Sequence, residues 1–242
     1  MYNEAHKVLL TYIRSIKTIS SQDLLDALVL ISQRLNSGEE RITLDLLNQY
    51  ISDINLEISQ QGFKIERKND ENDGILYYIF INTMIDDIMK ETTAYSVPEL
   101  VSIKYIIAEI IDKSNFEFSA SKNSIQQIVS QHQNKSLRDS SLFINRLIDD
   151  GWLVLTMNDD LILSIKSLCE LKQYLIDGFG YIEDNGKILS CSVCKDLVTL
   201  GLFKAENNNA FHRKCYDVYC RNNDIQHQDR SLMRVGPDPS TI

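Results

Sequence analysis

Cys191-Ser192-Val193-Cys194 is answered by His212-Arg213-Lys214-Cys215, with the seventeen residues 195–211 between the two stretches. In each stretch the donor side chains are separated by two residues, a spacing at which a tight turn directs both to one side. Two such pairs close a tetrahedron around a thiophilic cation, and the mixture of thiols with an imidazole favours zinc. Three of the five cysteines fall inside the pattern. Packing of small apolar thiols would have to reproduce both gaps and the histidine by coincidence. One structural zinc per chain is therefore expected on Cys191, Cys194, His212 and Cys215. Four protein ligands leave no position for a reactive water, which argues against a catalytic metal. A thioredoxin-like redox pair would need a surrounding βαβ pattern, and none occurs. Cys220 and His227 are too few to close a second structural site; a packed thiol and a solvated imidazole account for them. Cys169, beside Leu168 on an apolar helix, reads as core. His6 and His132 lie among polar residues and support no specific inference.

The formal net charge is −9 with a pI near 5.0, which disfavours general nucleic-acid binding by bulk electrostatics. Residues 181–242 carry equal numbers of basic and acidic side chains, so the acidity belongs to the first 180 residues. No apolar run approaches the roughly 20 residues that a membrane-spanning helix needs, and the first residues lack the apolar core of a signal peptide. Clustered rather than dispersed cysteines suit a reducing compartment. No membrane association is expected.

Hydrophobic periodicity supplies the architecture. Residues 4–17 carry Val8, Leu9, Tyr12, Ile13 and Ile16 as a helical stripe. Ser21 is the expected cap of a helix over 22–35 bearing Leu24, Leu25, Leu28 and Ile31. Thr43 is the expected cap of a third, with Leu44, Leu47, Ile51, Ile54 and Ile58 stepping by three and four. Gly62 ends it, residues 63–67 alternate as a half-buried strand, 69–74 turn, and 75–82 return. Three helices followed by a hairpin make a winged helix. After a polar connection over 86–96, Pro98 opens a helix whose expected inner face is Val101, Tyr105, Ala108 and Ile111. Helices over 122–133 and 137–150 follow, the latter with Leu142, Phe143, Leu147 and Ile148 inward. Gly151, the strand 152–155, the turn 158–160 and the strand 161–165 repeat the earlier grammar, so two winged helices in tandem are expected. Ser167 should cap a linking helix that ends at Gly178. The fold class is mainly α with small β-hairpins, a variant RING-like zinc domain following the tandem winged helices. The expected boundaries are 1–90, 96–178, 181–228 for the zinc domain, and a flexible tail over 229–242.

Winged helices can place a helix in a DNA groove. In the first, residues 43–61 offer Asp45, Asp53 and Glu57 and no lysine or arginine. The second offers Lys122, Lys135, Arg138 and Arg146, diluted by Asp139, Asp149 and Asp150, at most a modest phosphate-contacting surface, with Lys135, Arg138 and Arg146 the candidate DNA contacts. Protein docking is the favoured use of both modules; a winged-helix DNA-binding regulator with a purely structural zinc is the alternative. No Walker or Rossmann glycine fingerprint and no nucleophile-and-base arrangement occurs, so a small-molecule enzyme is not expected.

The order of motifs resembles one family. Tandem winged helices are followed by Cys191-Ser192-Val193-Cys194-Lys195-Asp196-Leu197-Val198-Thr199-Leu200-Gly201 and Phe211-His212-Arg213-Lys214-Cys215. The stretch from Phe143 through Gly151-Trp152-Leu153 and the helix Leu168-Cys169-Glu170-Leu171-Lys172-Gln173-Tyr174-Leu175 add to the likeness. The chain is similar to the non-SMC element one family, the RING-type subunit of the SMC five–six complex. The resemblance implies a nuclear, chromosome-associated scaffold acting in DNA repair and recombination. It also implies docking on a MAGE-type subunit and, with it, a kleisin, in an assembly with the SMC heterodimer that binds duplex DNA. Ubiquitin transfer with a ubiquitin-conjugating enzyme is implied for a full RING. This sequence departs from a full RING at the second zinc. No cysteine or histidine lies between Gly201 and Phe211, and Ile225-Gln226-His227-Gln228 stands where a closing pair would be expected.

Overall fold

The structure, a computed structural model, describes residues 2–35, 42–83, 95–112, 114–223 and 231–242. It forms two units: residues 1–70 with 74–84, and residues 71–73 with 85–242. The polar connection expected over 86–96 lies outside the described residues up to position 94, as does His227.

In the first unit, α1 (Glu4–Ile16), β1 (Thr18–Ser20), α2 (Ser21–Leu35), α3 (Leu44–Ile58), β2 (Phe63–Asn69) and β3 (Leu76–Asn82) follow in order. Thr43 caps α3 as expected, its hydroxyl accepting from the Leu46 N–H. The cap of α2 is Ser20 rather than Ser21; its hydroxyl accepts from the Asp23 N–H at 3.1 Å. Leu9, Ile13, Leu24, Leu28, Leu47, Ile54, Ile65 and Tyr78 pack into one core. Val8, Tyr12, Ile16 and Leu44, counted among the apolar stripes, sit at the stripe margins and are exposed. His6 belongs to this core as well. It is buried and stacks on Tyr50 with ring centroids 4.0 Å apart, a role invisible among its polar sequence neighbours.

The second unit opens with α4 (Val97–Ile111), β4 (Ala120–Ser121), α5 (Lys122–Gln133), α6 (Leu137–Asp149), β5 (Leu153–Leu155) and β6 (Asp160–Leu163). The sheets of the two modules follow the same order, β1-β3-β2 and β4-β6-β5. The tandem winged-helix reading holds, and it extends to β1 and β4, strands too short to show a period of two. Gly62 and Gly151 close the third helix of each module in the left-handed region, both with φ 76°.

Two helix faces differ from expectation. On α4, Leu100, Ile103, Ile106, Ile107 and Ile110 are buried, whereas Tyr105 is 50% exposed and Val101 and Ala108 are half-buried. That helix is apolar nearly all round, so its periodicity does not select a face. On α6, Phe143, Ile144 and Leu147 point inward and Leu142 is exposed, the Leu-Phe-Ile run having offered two phases.

The linking helix is two pieces, α7 (Ile165–Glu170) and α8 (Lys172–Phe179), broken at Leu171. Ser164, not Ser167, is its cap, and Gly180 rather than Gly178 ends it. Ser167 is buried instead, its hydroxyl donating to the Trp152 carbonyl at 2.5 Å.

Beyond it come β7 (Leu189–Ser190), β8 (Leu197–Val198), β9 (Gly201–Lys204), β10 (Asn209–Phe211), α9 (Arg213–Asn222) and β11 (Leu232–Val235). The expectation of a flexible tail from residue 229 is corrected here. Strand β11 pairs antiparallel with β9, Leu232 opposite Lys204 and Val235 opposite Gly201, so the sheet order is β10-β9-β11. Gly236 N–H donates to the Phe116 carbonyl, and Met157 N–H to that of Thr241. Backbone pairing secures this segment together with the burial of Val235, too little apolarity for its composition to read as more than a tail. The apolar core of the second winged helix runs on without interruption into Cys191, Leu197, Phe203 and Val235. The rings of Phe116 and Phe203 meet at 4.8 Å. No helix among the described residues is long and apolar enough to cross a membrane.

Candidate metal centre

Cys191 follows β7 directly. Its N–H donates to the Asp196 carbonyl and its own carbonyl accepts from Lys195, which turns residues 191–196 back on themselves. The turn needs Lys195 in the left-handed region, φ 64°. This knuckle carries Cys191 and Cys194 on one side. It is tied to the second pair by the N–H of Ser192, which donates to the Ala210 carbonyl at 2.8 Å.

His212 is the N-cap residue of α9 and Cys215 lies in that helix's first turn. Unpaired N–H groups at a helix start favour negative charge, and a thiolate is the form a metal requires. Gly201 makes the approach of the two halves possible: a Cβ there would lie 2.2 Å from the Phe211 carbonyl oxygen, next to His212.

The structure brings together all four residues that the spacing singled out. One donor atom from each of Cys191, Cys194, His212 and Cys215 lies within 4.8 Å of the others. The Cys194 and Cys215 sulfurs are 3.3 and 3.8 Å from His212 Nδ1. Bond lengths of about 2.3 Å to sulfur and 2.0–2.1 Å to nitrogen space tetrahedral donors by roughly 3.5–3.8 Å, so the set fits a zinc ion. Cys191 is buried and Cys194 exposed, with the other two between them. Cys220 is buried against Phe211 and Tyr216, as the packed reading expects. Cys169 is half-buried rather than fully core.

One participant was not anticipated. His212 Nε2 points away from the thiols and lies 2.8 Å from the Leu197 carbonyl and 2.9 Å from the Glu71 carboxylate. Glu71, in the stretch 69–74 that reads simply as an acidic turn, belongs to the second unit. No local signal distinguishes it from its neighbours.

The electrostatics of the cluster follow from these contacts. Burial disfavours a charged His212, but hydrogen bonds to Cys191 and Glu71 outweigh it and hold the imidazole's pKa up at about 12. Burial likewise opposes ionisation of Cys191, yet His212 and backbone N–H groups bring its thiol down to about 6. Burial dominates at Cys215 and raises it to about 11. Without metal at neutral pH, His212 and Cys215 therefore carry protons that a metal must displace, whereas Cys191 is already a thiolate. The metal-free form binds more protons than the metal-bound form, so affinity rises with pH and is lost as pH falls. Displacing at least two protons predicts an affinity loss of at least about a hundredfold per pH unit on acidification from pH 8 to 6.5. Competition against a zinc indicator across that range checks it; a flat profile contradicts the proton inventory.

Lys135 and Arg138 are exposed near the start of α6. Arg146 is engaged inside the chain, 3.5 Å from Glu99, 3.7 Å from Asp150 and with its guanidinium 4.6 Å from the centre of the Tyr95 ring.

The chain is similar to known proteins over most of its length. The family model described as Nse1 non-SMC component of SMC5-6 complex matches residues 6–171. The non-structural maintenance of chromosomes element 1 homolog of Xenopus tropicalis is 25% identical over 179 residues, 73% of this chain and 63% of that protein. Its Homo sapiens counterpart is 25% identical over 187 residues, 76% of this chain and 67% of that protein. A chain of a solved structure titled Nse1-Nse3-Nse4 complex superposes with a TM-score of 0.78 at 18% identity, covering 98% of this chain and 99% of that one. That likeness shows the fold, while the family match spans both winged helices; the chain belongs to the family of the Nse1 non-SMC component of the SMC5-6 complex.

Proposed function

We propose that this chain is a docking subunit of an SMC-type assembly. In this reading the winged helices bind a MAGE-type subunit and, with it, a kleisin, while Cys191, Cys194, His212 and Cys215 hold one structural zinc. The observation that carries the reading is the extent of the family match, whose residues 6–171 take in both winged helices. The winged helices also leave large apolar side chains on their surfaces, Leu30, Leu56 and Leu142 each more than half exposed. Through its partners the chain would meet the SMC heterodimer and duplex DNA, act in DNA repair and recombination, and reside on chromosomes in the nucleus. Lys135 and Arg138 are the cations it would offer to phosphate.

Co-expression with MAGE-type and kleisin subunits tests the proposal. A stable complex with one copy of each, retained through size exclusion, is expected; a chain that elutes alone beside both folded partners overturns it. A second reading, ubiquitin transfer, is favoured by the RING-like ligand set. Autoubiquitination with the MAGE-type subunit present decides it, and inactivity with every conjugating enzyme of a broad panel rejects it.

A further inference from the structure

Glu71 is the most confined carboxylate in contact with the cluster, its side chain 4% exposed. A carboxylate so buried is costly unless several donors converge on it. Here they do. Thr199 donates its N–H at 3.1 Å and its hydroxyl at 2.5 Å, and His212 Nε2 lies 2.9 Å from Oε1. The Leu197 carbonyl meets the same nitrogen at 2.8 Å. Both neighbours of Nε2 are therefore acceptors, so in a neutral imidazole Nε2 must carry the proton and Nδ1 must present its lone pair. Nδ1 is the atom that faces Cys194 and Cys215.

We propose that Glu71 is a positioning residue of the metal centre: its carboxylate holds His212 in the one tautomer and ring orientation that can bind zinc through Nδ1. A hydrogen-bonded carboxylate also makes the imidazole a stronger donor, and losing such a partner lowers metal affinity by about 10–100-fold in comparable sites. The Leu197 carbonyl supplies a neutral acceptor on the same nitrogen, so Glu71 adds charge and rigidity to an orientation the backbone already favours. Thr199 acts one step further out, fixing the carboxylate but not the imidazole.

The proposal rests on zinc occupying the four ligands, so the test begins with metal content. Wild-type chain purified without zinc would reject that underlying reading and this one together. Given zinc in the wild type, its transfer to an excess of chelator is timed for Glu71→Ala, Glu71→Gln and Thr199→Val. Release is expected to quicken about 10–100-fold in Glu71→Ala, less in Glu71→Gln, whose amide oxygen can still accept, and little in Thr199→Val. The Nε2 proton of His212, visible by NMR in the zinc-loaded wild type, should exchange too fast to observe in Glu71→Ala. Release from Glu71→Ala and Glu71→Gln within twofold of wild type overturns the proposal while leaving the zinc reading intact. So does equal acceleration by Thr199→Val with the Nε2 proton retained, because looseness of the segment would then explain the effect.

Discussion

Replacing Cys191 with alanine is expected to abolish stoichiometric zinc and open the segment from β7 to β11. The binding free energy of a structural zinc is about 10–16 kcal/mol at neutral pH. That rivals the roughly 5–15 kcal/mol by which an entire domain is stable. Cys191 is the most sensitive of the four positions because it is completely buried and bridged to Ala210, so alanine removes a ligand and leaves a gap. The damage should not stop at the knuckle. The core around Cys191 is continuous with Leu100, Trp152 and Leu163, so protection against hydrogen exchange should fall in α4 and β5 too. The first unit has a core of its own and should keep its protection. Chelator treatment of the wild type should reproduce the pattern. Unchanged protection of residues 189–211 after metal analysis confirms a zinc-free chain would show that the site does not support the fold.

Glu170→Ala should be damaging too, on a smaller scale. Lys166 and Glu170 are an i, i+4 pair on α7 at 2.5 Å, with side chains only 9% and 5% exposed. The ammonium also sits 4.0 Å from the centre of the Trp152 ring. Removing the carboxylate leaves a buried cation without its counter-charge, a change that costs about 3–5 kcal/mol, whereas replacing both members by apolar groups of similar volume is often neutral. The double variant Lys166→Met with Glu170→Leu should therefore recover most of the loss. Urea unfolding followed by fluorescence of Trp152, the chain's single tryptophan, reports on this spot directly. If the double variant is as unstable as Glu170→Ala, the cost comes from packing rather than from an unpaired charge.

What could be read from the residues, and what could not, follows the range of the interactions. The knuckle ligands were legible because a two-residue spacing is a local constraint, and so were Thr43, Gly62 and Gly151, whose roles lie within a few residues of themselves. Inner faces were legible where apolar residues recur sparsely, as in α3, and ambiguous where they are dense, as in α4. Glu71, His6 and the Lys166–Glu170 pair were not legible at all. Each takes its meaning from side chains or surroundings that only tertiary packing supplies, such as Thr199 and His212 around Glu71 or the Trp152 ring beneath Lys166. Strand β11 was missed for a related reason: its partner β9 lies on the far side of α9 in sequence, and the residues of β11 carry no strong alternation.

That strand order has a kinetic consequence. Strand β10 reaches β9 through a short hairpin, but β11 must close a much longer loop to take the opposite edge, and the entropy lost on closure grows with loop length. The two borders of β9 are therefore unequal in cost although equal in geometry. Opening should begin on the β11 side, as fraying of one edge, with the ligand-bearing side closed behind it. Release of β11 would expose one edge of β9 and leave its pairing with β10, next to His212, in place.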